Sequence, residues 1–259
     1  MKDQLGRRIQ IKELPKRIVC LVPSLSELLV DLGLSESLVG VTKFCVHPHS
    51  LRTEKEVVGG TKTIHKHKIA ALNPDFILCN KEENTQDIVT ACEAIAPVYV
   101  SDINSFDDFY VFLSHLGALF NIQEKTASFI LDIKIKREAF RRKTADFPER
   151  KVAYLIWKKP LMVAGRDNFI NVLLQELNLR NIFEGKEGRY PEIVNLELKS
   201  ADLVFLSSEP FPFTDQHIQE FQAFTNAKIS CVDGEYFSWY GSRLLKAFDY
   251  FEKLLKSLN

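Results

Sequence analysis

An internal repeat constrains the fold of this chain more than any other feature. The segment 17–24 is an apolar strand followed by Pro-Ser and an apolar helix that ends at 31–34, and the segment 151–157 leads in the same way to 176–179. Each half contains a second short apolar strand further along the chain, at 76–79 and at 203–206. Two similar α/β lobes are therefore predicted, with a ligand cleft between them.

Strands alternate with helices throughout both halves, and this alternation is typical of mostly parallel sheets. Ser24 and Asp167 stand where they would cap the first helix of each half. A long helical stretch with a basic end, residues 134–143, falls between the halves and ends before Pro148. The predicted fold is α/β, with two Rossmann-like lobes joined by one long helix. The predicted domains are an N-terminal lobe (1–122), a connecting helix (123–147) and a C-terminal lobe (148–259).

Composition excludes several classes of function. Lys+Arg and Asp+Glu both number 34 among 259 residues, so no overall positive charge favours nucleic acid, and nucleic-acid binding is not expected. No apolar run reaches the roughly 20 residues that cross a bilayer, and no apolar segment follows the basic N-terminus. The five cysteines form no regular framework. As the chain reads, we expect a cytoplasmic monomer.

Candidate ligand contacts lie in the loops that follow the strands, because parallel sheets bind ligands at their carboxyl ends. These loops contain both tryptophans and many charged residues. Three cations, Lys62, Lys81 and Arg243, would attract an anionic ligand, and Asn80, Glu82 and Glu209 lie in the same loops. Such a mixed set suits holding a polar ligand better than one identifiable reaction. We therefore expect a binding protein and no enzyme.

Two alternatives remain open. An enzyme on the same scaffold would use Glu82, Glu209 and Asp233 for acid/base chemistry, although the chain has no glycine-rich phosphate loop and no nucleophile elbow. A cytoplasmic metallochaperone would use His47 and His65, each of which has a second histidine two residues on. Spacing supplies no third ligand. No intrinsic cofactor is expected, and a metal would arrive within a bound chelate.

The ordered motifs at 17–34, 38–42, 57–60, 69–77, 163–170 and 203–206 resemble a known family. They are similar to the class III, helical-backbone substrate-binding proteins of cobalamin and ferric-siderophore ABC importers. The resemblance runs from about residue 8 to the end of the chain. It implies two α/β lobes on one long helix, a metal chelate such as an iron siderophore, a haem-like compound or a corrinoid as ligand, an ABC permease as partner, and a periplasmic or envelope-associated location.

The resemblance also assigns residues. Phe44, Trp157 and Tyr190 fall where the cobalamin receptors place pocket aromatics, and Glu235 and Trp239 fall near their last pocket loop. Glu197 matches the carboxylate with which the second lobe docks on the transporter. The sequence departs from the family at three positions. Thr61 and Asn80 replace tryptophans of the cobalamin receptors, and His67 replaces the docking carboxylate of the first lobe.

Overall fold

The computed structural model describes residues 1–258, and the chain divides into two compact units, 1–131 and 132–259. The first unit contains a five-stranded, all-parallel sheet in the order β3-β2-β1-β4-β5. Its strands are β1 (Ile18–Cys20), β2 (Leu38–Val41), β3 (Glu56–Val57), β4 (Phe76–Asn80) and β5 (Val98–Ser101), and its helices are α1 (Pro23–Asp31), α2 (Leu51–Glu54), α3 (Lys66–Ala71), α4 (Gln86–Glu93) and α5 (Phe106–Phe120).

The second unit repeats this plan. Its strands are β6 (Arg150–Trp157), β7 (Met162–Val163), β8 (Leu179–Asn181), β9 (Leu203–Ser207) and β10 (Lys228–Val232), and its helices are α7 (Phe169–Glu176), α8 (Asp215–Gln222), α9 (Gly234–Ser238) and α10 (Leu244–Leu258). The order β10-β9-β6-β8 mirrors β5-β4-β1-β2, and only the short β7 runs antiparallel to its neighbour. The prediction of two α/β lobes with mostly parallel sheets is confirmed.

The repeat extends to individual hydrogen bonds. In the first unit the Asp75 carboxylate accepts from the Arg17 amide at 2.9 Å, and the Asp75 amide donates to the Arg17 carbonyl at 3.0 Å. In the second unit Asp202 makes the same two contacts with Lys151, at 2.7 and 2.9 Å. Each pair fastens the loop before one strand to the start of the neighbouring strand. The two sheets therefore begin in the same way.

Both predicted helix caps are wrong by one or two residues. Helix α1 begins at Pro23 after Val22, and Ser24 lies buried in its first turn, because proline is pre-organised for the first helical position. Helix α7 is capped by Asn168, whose side chain accepts from the Asn171 amide at 2.9 Å. Asp167 precedes it in a left-handed conformation, with φ at 56°. Adjacent Asp and Asn are both good caps, and sequence alone does not choose between them.

Helix α6 covers Gln123–Thr144, and the boundary between the units falls inside it, after Leu131. Its basic end is paired with carboxylates of the second unit. Arg137 and Arg141 both hold Glu176, at 2.5 and 2.7 Å. Burial alone would raise the pKa of Glu176, but these hydrogen bonds lower it below its ordinary value. Hydrogen bonds from Lys143 and Lys256 likewise lower the pKa of Glu252 to about 2. The basic run therefore fastens α6 to α7 and α10.

Candidate functional site

The carboxyl ends of β9 and β10 border a cavity of about 560 Å³ in the second unit. Its lining is rich in carboxylates and consists of Ser208, Glu209, Cys231, Val232, Asp233 and Glu235. Three of these residues, Glu209, Asp233 and Glu235, are candidates from the sequence. Their position agrees with the rule that open parallel sheets present their ligand sites at the carboxyl ends of the strands.

Short hydrogen bonds shape the loop that carries Glu209. The Ser207 hydroxyl donates to the Glu209 carbonyl at 2.6 Å, and the Ser238 hydroxyl donates to the Glu209 carboxylate. Gly234 donates its amide to the Ser208 hydroxyl at 2.9 Å, and a Cβ at Gly234 would collide with Ser207 and Glu209. Glycine is therefore required where α9 begins, because the β9 loop packs directly against its backbone.

Arg243 is a buried cation of this region that is held by two contacts. Its guanidinium is 3.0 Å from the Glu235 carboxylate, and its central carbon is 5.0 Å from the centre of the Trp239 ring. The residue is only 8% exposed. A buried guanidinium gains from both contacts, because the carboxylate offsets its lost hydration and the ring face attracts its charge. The sequence predicts all three residues in one loop after β10; the structure instead places Glu235 on the short helix α9, and it brings the three side chains together.

The other predicted aromatics of the second unit lie in neighbouring segments. Trp157 is the last residue of β6, is 38% exposed and donates its indole N–H to the Lys159 carbonyl at 3.0 Å. Its ring meets Phe211 edge-on with centres 5.8 Å apart. Tyr190 is half-buried. Sequence reasoning missed Phe211 as the partner of Trp157, although it lies among the unusual aromatic residues of the loop after β9.

In the first unit, Asn80 organises the loop at the end of β4. Its amide nitrogen donates to the carbonyl and hydroxyl oxygens of Ser101, both at 3.0 Å. Its amide oxygen accepts from the backbone N–H groups of Glu82 and Glu83, at 2.8 and 3.3 Å. The residue is 1% exposed. These contacts shape the loop from within, and direct ligand contact by Asn80 stays a prediction.

The neighbouring candidates of the first unit differ in how firmly they are held. Phe44 is 48% exposed, and the Lys43 ammonium lies 5.0 Å from the centre of its ring. Lys62 donates to the Glu82 carbonyl. Lys81 pairs with Asp102 at 2.6 Å, and not with the glutamates beside it. Phe44 and Lys43 thus present an exposed aromatic face with a cation next to it.

Glu83, a further carboxylate of this loop that the sequence offered for acid/base chemistry, is half-buried. Burial raises the pKa of Glu83, while the charge of Lys62 and a hydrogen bond with Thr61 lower it in part. Thr61 is itself 8% exposed. The cation predicted to meet an anionic ligand therefore also acts on an internal carboxyl, which spacing along the chain could not show.

The two residues matched to transporter docking have different surroundings. Glu197 pairs with Lys186 at 2.6 Å and accepts from the Val194 amide at 2.9 Å. Hydrogen bonding to Lys186 lowers the pKa of Glu197. Two exposed apolar side chains, Val194 and Leu196, lie beside it in the chain, 63% and 64% exposed. His67 is exposed on α3.

The histidine pairs do not form a metal centre with other residues that the structure describes. The ring centres of His47 and His49 are 5.6 Å apart, and those of His65 and His67 are 6.0 Å apart. Within residues 1–258 no group of three His, Cys, Asp or Glu side chains could hold a metal ion. No helix in the same range is long and apolar enough to cross a membrane.

Residues 18–224 match the family of periplasmic binding proteins. The chain belongs to this family. The resemblance drawn from the ordered motifs is therefore confirmed at the level of the family, and so is the fold that it implies. A structure similar to this periplasmic binding protein is that of the periplasmic vitamin B12-binding protein BtuF of Vibrio cholerae, with a TM-score of 0.80 and 20% identity over 95% of this chain and 98% of that one.

A second solved structure and two curated proteins are similar to this chain at comparable identity. A periplasmic heme-binding protein from Pseudomonas aeruginosa matches with a TM-score of 0.81 and 21% identity, over 95% of each chain. Among curated proteins, the uncharacterised ABC transporter substrate-binding lipoprotein YvrC of Bacillus subtilis is 25% identical over 72% of this chain. That match spans 61% of YvrC. The vitamin B12-binding protein of Vibrio cholerae is 24% identical over 78% of this chain and 71% of its own length.

Proposed function

We propose that this periplasmic binding protein holds a metal chelate, such as an iron siderophore, a haem-like compound or a corrinoid, for uptake by an ABC importer. The observation that carries the proposal is the cluster of Glu235, Trp239 and Arg243 beside the 560 Å³ cavity at the carboxyl ends of β9 and β10. Aromatic faces with a few fixed charges suit a flat or polar chelate. The names of the relatives, which bind vitamin B12 or heme, support this ligand class.

The charges of the cavity refine the expected ligand. Glu209, Asp233 and Glu235 line it, and Arg243 pairs with Glu235. Carboxylates in excess favour the parts of a ligand that carry positive charge or donate hydrogen bonds. A chelate with positively charged or hydrogen-bond-donating groups would match the carboxylates of this cavity best.

Binding can be tested on a panel of hemin, cyanocobalamin and ferric hydroxamate and catecholate siderophores. Native mass spectrometry and tryptophan quenching should show one compound bound unchanged and saturably. Phe44→Ala should then weaken its binding about tenfold, because the exposed Phe44 ring that the ligand would cover is removed. Val111→Ala is the control, because Val111 is also 48% exposed but lies on α5. A panel without any binder, or equal affinities of both variants, would contradict the proposal.

Docking on an ABC permease is proposed to use Glu197. The contacts with Lys186 and the Val194 amide hold its carboxylate in place, and Val194 and Leu196 beside it expose apolar area of the kind that a partner buries. His67 carries no carboxylate, so the surface of α3 needs a partner of different charge from the one that Glu197 meets.

Glu197→Gln should leave chelate affinity unchanged and lower uptake about tenfold in cells that depend on this protein, since a charge-assisted contact with the permease is lost. Glu187→Gln is the matched control, because Glu187 is exposed in the same unit. Unchanged uptake with Glu197→Gln would refute the docking role without affecting the binding role. For both roles we propose an envelope location, in line with the names of the periplasmic and lipoprotein relatives.

A further inference from the structure

A second cavity, of about 450 Å³, lies in the second unit, where β6 begins and β8 ends. It is lined by Lys151, Arg180, Asn181, Ile182, Glu184, Gly185 and Ser200. The candidate ligand site follows the carboxyl ends of β9 and β10, so this cavity is separate from it. Neither the family assignment nor the proposed chelate accounts for it.

Two cations meet in this cavity. Lys151 on β6 is the register partner of Arg180 on β8, and both side chains are exposed. Side chains of register partners lie on the same face of a sheet, and like charges placed so close repel each other. Within residues 1–258 neither side chain has a carboxylate at salt-bridge distance. The positive charge is therefore not balanced by an ion pair within this part of the chain.

The internal repeat provides a comparison within the same chain. Arg17 occupies in the first unit the place of Lys151, as the matching contacts with Asp75 and Asp202 show. The Arg17 guanidinium donates twice to the Leu72 carbonyl, at 2.8 and 2.6 Å, and is thereby fixed. The Lys151 side chain instead reaches the cavity, where Arg180 adds a second cation. The second unit thus has the same backbone contacts as the first, but the charged side chain at this position has different surroundings.

The rest of the wall limits what could bind. Glu184 is the one carboxylate among the lining residues, and its Oε1 accepts from the side-chain amides of Asn171 and Gln175, at 3.1 and 3.0 Å. The Ser200 hydroxyl donates to the Glu197 carbonyl at 3.3 Å. An ammonium and a guanidinium side by side match the oxygens of a carboxylate or phosphate. We propose that this cavity binds a small oxyanion through Lys151 and Arg180.

The test is calorimetric titration of the full-length protein with inorganic phosphate and, separately, with citrate, each at an ionic strength matched with sodium chloride. One of the two should bind saturably at millimolar concentration. Lys151→Gln and Arg180→Gln should each weaken that binding about tenfold, because each removes a charge-assisted contact. Lys253→Gln removes the same charge from an exposed position on α10 and should bind as the wild type does.

The two anions distinguish the possible sources. Tighter phosphate binding indicates a phosphate ligand, and tighter citrate binding indicates a carboxylate. Arg180→Lys keeps the charge but loses the planar guanidinium. A partial loss of anion affinity therefore supports direct contact between Arg180 and the anion, and not a general electrostatic attraction. The inference fails if neither anion shows saturable binding, or if the Lys151→Gln Arg180→Gln double variant binds as the wild type does. It also fails if Lys253→Gln loses as much anion affinity as Lys151→Gln and Arg180→Gln do. Thermal unfolding without anion shows that the variants fold, since removing a like charge should not lower their midpoints.

Discussion

Replacing Asn80 with alanine should lower the free energy of unfolding of the first unit by about 3 kcal/mol, since each lost hydrogen bond contributes roughly 1 kcal/mol and buried partners remain unsatisfied. The substitution removes both contacts with Ser101 and frees the amides of Glu82 and Glu83. Urea unfolding followed by circular dichroism measures the change. Tryptophan fluorescence does not report it directly, because Trp157 and Trp239 both lie in the second unit.

Asn226→Ala is the control for this experiment. Asn226 is exposed in the second unit, so its loss should change stability by no more than about 0.5 kcal/mol. A similarly small effect of Asn80→Ala would mean that the network at the end of β4 contributes little. If Asn80→Ala also abolishes chelate binding under conditions where the protein stays folded, the loop from Lys81 to Asn84 belongs to the ligand site.

Arg243→Gln should destabilise the second unit by about 2–3 kcal/mol. The substitution leaves the buried side of Glu235 without its guanidinium, where a charged hydrogen bond contributes roughly 1.5–3 kcal/mol. It also removes the cation over Trp239, a contact of about 1 kcal/mol. Urea unfolding followed by tryptophan fluorescence is the appropriate measurement, because the Trp239 ring touches the replaced group.

The same variant tests the proposed function. If the cluster of Glu235, Trp239 and Arg243 holds the chelate, Arg243→Gln should weaken its binding about tenfold, or roughly 1.4 kcal/mol. Lys246→Gln is the matched control, because Lys246 is exposed in the first turn of α10, which begins directly after Arg243. Equal stability and affinity of the two variants would show that the Arg243 contacts are incidental.

The architecture followed from sequence because two kinds of pattern agree. Continuous apolar runs mark buried parallel strands, as in β4 and β9, whose residues are all buried. The repeat then fixed how the halves correspond. Helix caps were less predictable, because Asp167 and Asn168 are both suitable and only the backbone conformation decides between them.

The sequence predicted which segments form the site, but not which side chains contact each other within it. Sequence placed Glu235, Trp239 and Arg243 in the segment that follows β10, and their proximity followed although Glu235 lies on α9. It could not show that Lys81 pairs with Asp102, which lies 21 residues away, and not with Glu82. Nor could it distinguish Arg17 from Lys151, since their side-chain environments depend on whether a carbonyl such as that of Leu72 lies within reach. Charge partners distant in sequence depend on tertiary structure.

The matching contacts of Asp75 and Asp202 have a consequence for how the chain folds. The first closes a loop of 58 residues and the second a loop of 51. Since closure entropy grows only with the logarithm of loop length, the two closures differ by about 0.1 kcal/mol. The entropy of loop closure therefore does not favour earlier folding of either half. On the ribosome, order of synthesis alone would decide which sheet nucleates first, and a refolding full-length chain would start both at comparable rates.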